Sequence, residues 1–247
     1  MLEFINALYG SVKSNPALWL VLTLVAFIFG QKVYKITKYN PLAAPTNVAV
    51  ILIIGILLLF NIPYDEYYKG ANFITFLLGP ATVVLAVPVF EQRAKLVKLW
   101  LPLAAGLLVG CCVSIVSVVL LGWAFHLDPK TLISLIPKSV TTPIAMGVSQ
   151  SLGGMPDLTA ALVVITGIVG SSIGRPIFRF CKITSDPVCG VSLGLTAHGM
   201  GTSMAFQISN DAGAFSGLAM GISGVITAFV APLLASPLMR LLGILPS

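Results

Sequence analysis

The sequence predicts an all-α membrane protein of about seven transmembrane helices plus one re-entrant or broken element, eight segments in all. Three observations carry that prediction. Only 14 Lys and Arg and 8 Asp and Glu occur in 247 residues, 9% of the chain, where a soluble domain carries roughly 25%. Apolar residues make up 57%, and mean hydropathy is +1.00. Stretches free of Asp, Glu, Lys and Arg recur along the chain, most of them near the roughly 20 residues that cross hydrocarbon as a helix. So few charges cannot cover a water-facing surface, which excludes an ordinary soluble enzyme, a disordered chain and a nucleic-acid-binding domain. The formal net charge of +6 does not reopen the last class, because the basic residues stand in short clusters between apolar runs rather than along one face. A strand barrel is disfavoured, since alternation is absent and the runs are too long.

In order, the segments are Ser14–Gln31, Tyr39–Tyr64, Gly70–Phe90, Leu99–Leu127, Ser139–Pro156, Leu158–Gly174, Pro187–Asn210 and Ala212–Met239. The N-terminus lacks an early basic region with a small-residue cleavage site, so the first is read as a retained helix. Val48–Phe60 and Leu103–Leu121 are rich in Leu, Ile and Val and read as lipid-facing helices. The third segment contains Gly79, Pro80 and Pro88. The fifth contains Pro143, Gly147, Gly153 and Gly154, and Pro137 stands just before it. The seventh contains Gly190, Gly194, Gly199 and Gly201. Pro removes a backbone donor and Gly weakens a helix. Within a membrane they are tolerated where neighbouring protein or a cavity satisfies the backbone, so three interrupted segments point to broken helices around a polar site. The eighth segment carries Gly213, Gly217, Gly221 and Gly224, a small-residue face suited to a neighbouring helix or a second subunit as a homodimer. The cysteines, Cys111, Cys112, Cys181 and Cys189, form no disulfide framework and read as small packing residues.

Three basic clusters set the topology: Lys32, Lys35 and Lys38; Arg93, Lys95 and Lys98; Arg175, Arg179 and Lys182. The positive-inside bias places them, with Arg240, in the cytoplasm. Three segments separate the second cluster from the third, so three full crossings would put the third outside. The simplest repair is that Thr131–Pro156 enters and returns on the outer side; the alternative is that all eight segments cross and one cluster breaks the bias. The first arrangement puts the N-terminus outside and the C-terminus inside a bacterial plasma membrane, with 1–247 as one polytopic domain and possible inverted repeats over 14–127 and 131–242. Gly79-Pro80-Ala81-Thr82 then lines up with Gly199-Met200-Gly201-Thr202, which adds Thr82 to the candidate site residues; the alternative is chance similarity between apolar helices of one composition.

The first chemical candidate is the run from Pro137 to Pro143. Lys138 stands in an apolar stretch, followed by Ser139, Thr141 and Thr142. A charge at membrane depth costs a few kcal/mol, so its default reading is functional. An ammonium, hydroxyls and the free N–H groups of a helix starting near Pro143 make an anion site; the alternative is a lysine that snorkels to the interface. The second candidate is the run from Thr196 to Ser203. Gly199 and Gly201 allow close backbone approach, His198 can donate, accept or shuttle a proton, and Thr202 and Ser203 add hydroxyls; the alternative is helix packing through small residues with His198 in an interhelical hydrogen bond. Glu91 is either a coupling or gating carboxylate or an ion-pair partner of Arg93 or Lys95. Asn47 is either a polar contact or a capping residue. No metal, nucleotide or nucleophile–base signature is present, so no cofactor and no enzymatic reaction are expected.

The runs Ile136–Ala145 and Ala197–Thr202, with Tyr64–Gly70 and the stretch from Leu78 to Gln92, resemble the LrgB/CidB family over essentially the whole chain. That resemblance implies two functions. One is antiholin-like regulation of murein hydrolase export and autolysis. The other is transport of small monocarboxylates such as glycolate, glycerate or pyruvate, since a related domain forms the C-terminal part of the plastidal glycolate/glycerate translocator. It also implies a small LrgA/CidA-type membrane partner. The residues favour transport by alternating access: an oligomerising pore has no need of a lysine between prolines or a glycine-rich histidine segment.

Overall fold

The computed structural model describes residues 15–37, 43–84 and 86–244, and every regular element among them is helical. In chain order these are α1 Pro16–Ile36, α2 Pro45–Leu59, α3 Tyr64–Val84, α4 Ala86–Glu91, α5 Arg93–Lys98, α6 Trp100–Ala124, α7 Pro129–Leu135, α8 Thr142–Ser151, α9 Pro156–Phe180, α10 Asp186–Phe206 and α11 Asn210–Leu241. Pro143, read above as an interruption, is a helix starter, while Pro80 lies inside α3. Pro16, Pro45, Pro129, Pro143, Pro156 and Pro187 each occupy the first or second helical position, where the missing N–H has no intrahelical partner to lose. Side chains cap three helix starts. Asn15 accepts from the Ala17 N–H, Asp128 from those of Lys130 and Thr131, and Ser209 from that of Ala212, each replacing a bond the helix itself cannot make.

Four of these helices are long and apolar enough to cross a membrane: α1, α6, α9 and α11, with α2 shorter. They expose large apolar side chains, such as Val21, Val25 and Ile28 on α1 and Val109 and Val113 on α6. Such faces would be a liability in water and are ordinary against lipid.

The chain forms two compact units, Met1–Val84 and Leu85–Ser247. In the first, α1 packs on α2 and α3. Ala26, Ala49 and Ile53 form its core, and Trp19 meets Tyr67 edge-on with ring centroids 6.1 Å apart.

In the second unit α6 and α11 run parallel. Lys95, just before α6, forms an ion pair with Asp211 at the start of α11; Cys111 lies against Ser223 and Thr227; Trp123 and Leu127 share a hollow with Leu242 and Ile244. Helix α9 runs the opposite way. Met155 at its start donates to Ser134 Oγ, and Arg175 near its end reaches the Gln207 carbonyl.

Two fold-back hairpins fill the spaces between these helices. In the first, α7 enters, the chain turns at 136–141, and α8 returns. Thr159 of α9 staples its two arms, its Oγ1 lying 3.0 Å from the Ser134 carbonyl oxygen and 2.7 Å from Ser149 Oγ. The second hairpin is α10 itself. Its helix is broken at Ala197 (φ −130, ψ 15) and His198 (φ 42, ψ −126). Residues eight apart along a straight helix are about 12 Å apart, yet a Cβ on Gly201 would collide with the Leu193 carbonyl oxygen. Only a reversal brings them together, and only glycine fits at that crossing. The seventh segment, expected to cross, therefore turns back, because the backbone reverses at His198.

A second expectation also changes. Since α11 is parallel to α6, Arg240 lies at the far end of the bundle from Lys95 and Arg175, rather than on their face. Of the small-residue face on α11, Gly213 and Gly224 pack against neighbouring elements, at Phe206 and Ile144, while a Cβ on Gly217 or Gly221 would meet nothing.

Candidate functional site

The tips of the two hairpins approach the middle of the bundle from opposite ends. Between them lies a cavity of about 410 Å³. The first hairpin contributes Leu135, Lys138 and Ser139; α9 contributes Leu162, Ile165, Thr166, Val169 and Gly170; α6 contributes Ser114; the second hairpin contributes Thr196. One lysine and four hydroxyl-bearing residues thus contribute to the lining of a space whose walls are mainly apolar. Ser139 is buried and shares a 3.3 Å hydrogen bond with Ser114, which ties the first tip to α6. Thr196 Oγ1 donates to the Ser192 carbonyl at 2.6 Å, closing the last turn before the break.

Lys138 is half-buried, and among the described residues no carboxylate lies within ion-pair distance of it. A desolvated cation without a counter-charge is costly. A small anion in the cavity would relieve that cost, with the hydroxyls as additional hydrogen-bond partners.

His198 stands at the second tip but does not line the cavity. Its side chain is buried, and Nε2 donates to the Val163 carbonyl of α9 at 3.0 Å. Gly167 makes room for the ring: a Cβ there would lie 2.8 Å from His198 Cε1 and 2.9 Å from Nε2. A non-glycine residue at φ 42 costs about 1–3 kcal/mol, and the surrounding bonds hold it there. Thr202 Oγ1 donates to the His198 carbonyl at 2.9 Å and lies 3.0 Å from Ser216 Oγ on α11. In this structure His198 and Thr202 therefore fix the tip, and Thr196 is the residue by which this hairpin lines the cavity.

The remaining candidates scatter. Thr141 is the residue before α8 and Thr142 its first residue, both half-buried at the mouth of the first tip. Gly201 is packed in the hairpin crossing; Gly199 and Ser203 are exposed. Glu91 is exposed at the end of α4. Its suggested partners are engaged elsewhere: Arg93 donates to the Phe90 carbonyl and lies over the Phe90 ring, and Lys95 pairs with Asp211. Asn47 is buried in α2 of the first unit. The side chain of Thr82, on α3, lies outside the described residues, as does Lys38. Ser114 and Thr166 were not legible as site residues. Each is one hydroxyl in an apolar helix, and only the fold shows that both face Lys138. All four cysteines are free thiols.

Helices of membrane-crossing length with apolar outer faces, packed around two fold-back elements, define a multi-pass helical membrane protein. Within that class, the chain belongs to the LrgB-like family, whose profile matches residues 23–236. It is 38% identical to the uncharacterized protein YwbG of Bacillus subtilis (strain 168), over 88% of this chain and 96% of that one. It is 32% identical to the antiholin-like protein LrgB of the same organism, over 88% of this chain and 94% of the relative. It is 30% identical to the antiholin-like protein LrgB of Bacillus mycoides (strain KBAB4), over 89% and 95%. No solved structure matches the chain significantly.

Proposed function

We propose that this protein is a carrier, not an enzyme, that moves small monocarboxylates of the glycolate, glycerate or pyruvate type by alternating access. The observation that supports this most directly is the unpaired Lys138 in a cavity lined by hydroxyls from both hairpin tips and two long helices. The ammonium takes the carboxylate, and Ser114, Ser139, Thr166 and Thr196 take its hydroxyl or keto oxygen. A cavity of about 410 Å³ admits a two- or three-carbon acid with water. Two hairpins entering from opposite faces supply two gates to one site, the requirement for alternating access.

In this reading α6, α9 and α11 cross a bacterial plasma membrane, both hairpins are re-entrant, and the Arg93–Lys98 and Arg175–Lys182 clusters face the cytoplasm. The parallel course of α6 and α11 then carries the C-terminus outside, the reverse of the sequence expectation. Glu91, at the cytoplasmic edge, is available for ion coupling or gating. A homodimer and a small LrgA/CidA-type partner belong to the same proposal.

The test is uptake of labelled glycolate, glycerate and pyruvate into proteoliposomes holding this protein alone. Losing a charge-assisted bond of about 1.5–3 kcal/mol should raise the KM of Lys138→Met roughly 10- to 150-fold, with the protein still monodisperse. Unchanged uptake by Lys138→Met would sink Lys138 as the carboxylate site, and absence of uptake by the wild-type protein would sink the carrier reading. The antiholin-like name of relatives at 29–32% identity favours a second reading, regulation of murein hydrolase export and autolysis. No uptake by wild type, together with altered autolysis on deletion, supports it.

A further inference from the structure

A second cavity, of about 640 Å³, lies at the end of the bundle that carries the basic clusters. Its lining includes Arg175, Arg179, Lys182, Asp186, Gln207 and Ile208. These come from the last turns of α9, the turn after it, and both ends of the folded-back α10. The hollow is therefore the base of the second hairpin. It holds three cations and one acid. Among the described residues, none of the three forms an ion pair, whereas Lys69 and Lys95 elsewhere do. Arg175 commits one guanidinium nitrogen to the Gln207 carbonyl, at 2.7 Å. That bond clamps the end of the hairpin to α9 and leaves the other donors of the fork for a ligand. Lys182 sits in the left-handed region at φ 56, where the chain leaves α9 for α10. Phe178, Ile183, Cys189 and Ile208 give the hollow an apolar floor.

Topological bias alone asks only that basic residues stand on this face; it does not ask that three of them converge on one hollow with an apolar floor. We propose that this cavity binds a phosphate-bearing anion, the shared chemistry of an anionic phospholipid headgroup and of a free phosphate compound. Three cations against one carboxylate leave a net charge of two, which matches a phosphate dianion. Arginine forks suit its oxygens in paired contacts, and basic pockets between membrane helices on the cytoplasmic side hold such headgroups. A ligand here spans α9 and both arms of the hairpin, so its occupancy braces the hairpin's base. The site stands independently of what the Lys138 cavity carries.

The full-length protein, purified in a zwitterionic detergent, is titrated separately with dioctanoyl phosphatidic acid, dioctanoyl phosphatidylcholine and inorganic phosphate, reading the thermal midpoint and the apparent Kd. Phosphatidic acid should raise the midpoint saturably and phosphatidylcholine should not. If inorganic phosphate matches phosphatidic acid, the ligand is a free phosphate compound; if only phosphatidic acid acts, it is a lipid headgroup. Arg179 and Lys182 are exposed, so R179Q/K182Q should fold while binding about tenfold or more weakly. R93Q/K98Q, which changes exposed basic residues outside the cavity, should bind as wild type. The proposal is overturned if neither ligand stabilises the protein, if phosphatidylcholine matches phosphatidic acid, if R179Q/K182Q binds like wild type, or if R93Q/K98Q weakens binding equally.

Discussion

Replacing Gly167 by alanine sets two effects of opposite sign against each other. In a helix interior alanine is better than glycine by about 0.8–1.0 kcal/mol, so propensity alone predicts a more stable protein. The structure predicts the reverse. The new Cβ would lie 2.8 Å from His198 Cε1, 2.9 Å from His198 Nε2 and 2.8 Å from Met200 Sδ, against the 3.4 Å at which ordinary contact begins. The methionine can swing away. The imidazole is held by its bond to the Val163 carbonyl and by a reversed backbone. Overpacking costs about 1–3 kcal/mol and a broken net hydrogen bond about 1 kcal/mol. After the propensity gain, the loss is about 1–3 kcal/mol, or a fall in Tm of roughly 2–12 °C at this chain length. Repeating the substitution in His198→Gly removes the ring and lets the left-handed backbone relax, so only propensity and a movable methionine remain. There Gly167→Ala should become neutral or stabilising. The assay is a double-mutant cycle read by thermal unfolding in one detergent. Gly167→Ala costing the same in both backgrounds, or stabilising the wild-type protein, would refute the placement of His198 as the pin of the second tip.

Three further predictions follow from the same geometry. Thr159→Val keeps the shape but removes the hydroxyl that reaches Ser134 and Ser149; it should cost about 1–3 kcal/mol and speed amide exchange across residues 131–156, while exchange at 210–241 stays the same. Ser114→Ala and Ser139→Ala should each raise the KM for a carboxylate about 2- to 10-fold, and the double variant by less than the product, because the two hydroxyls share one hydrogen bond; a fully multiplicative result counts against a shared site. In intact cells, a membrane-impermeant maleimide should label Arg240→Cys made in a background without the native cysteines, while the exposed Cys181 of the native chain should react only after permeabilisation; the opposite pattern would invert the proposed topology.

What the sequence determined by itself rests on composition and on local chemistry. Charge scarcity and apolar run length are properties of the chain, so the helical membrane class was readable directly, and so was family membership. Local rules also marked where helices begin, since Pro129, Pro143, Pro156 and Pro187 act within a turn of themselves. Lys138 stood out because an unpaired charge in an apolar run is costly wherever the chain folds. The tertiary structure decided which residues share that lysine's space. Ser114, Thr166 and Thr196 lie on three different helices, and no periodicity along one helix encodes that a residue on another faces it. It also decided the role of His198. A histidine among glycines reads equally as a ligand or as a packed residue, and only the reversed backbone, the Val163 carbonyl and the gap at Gly167 distinguish the two. The course of α11 depended on the fold for the same reason. Positive-inside counting treats each apolar run as a crossing or not, whereas the reversal of α10 at one residue inverted the course of α11 and so the end of the bundle at which Arg240 lies.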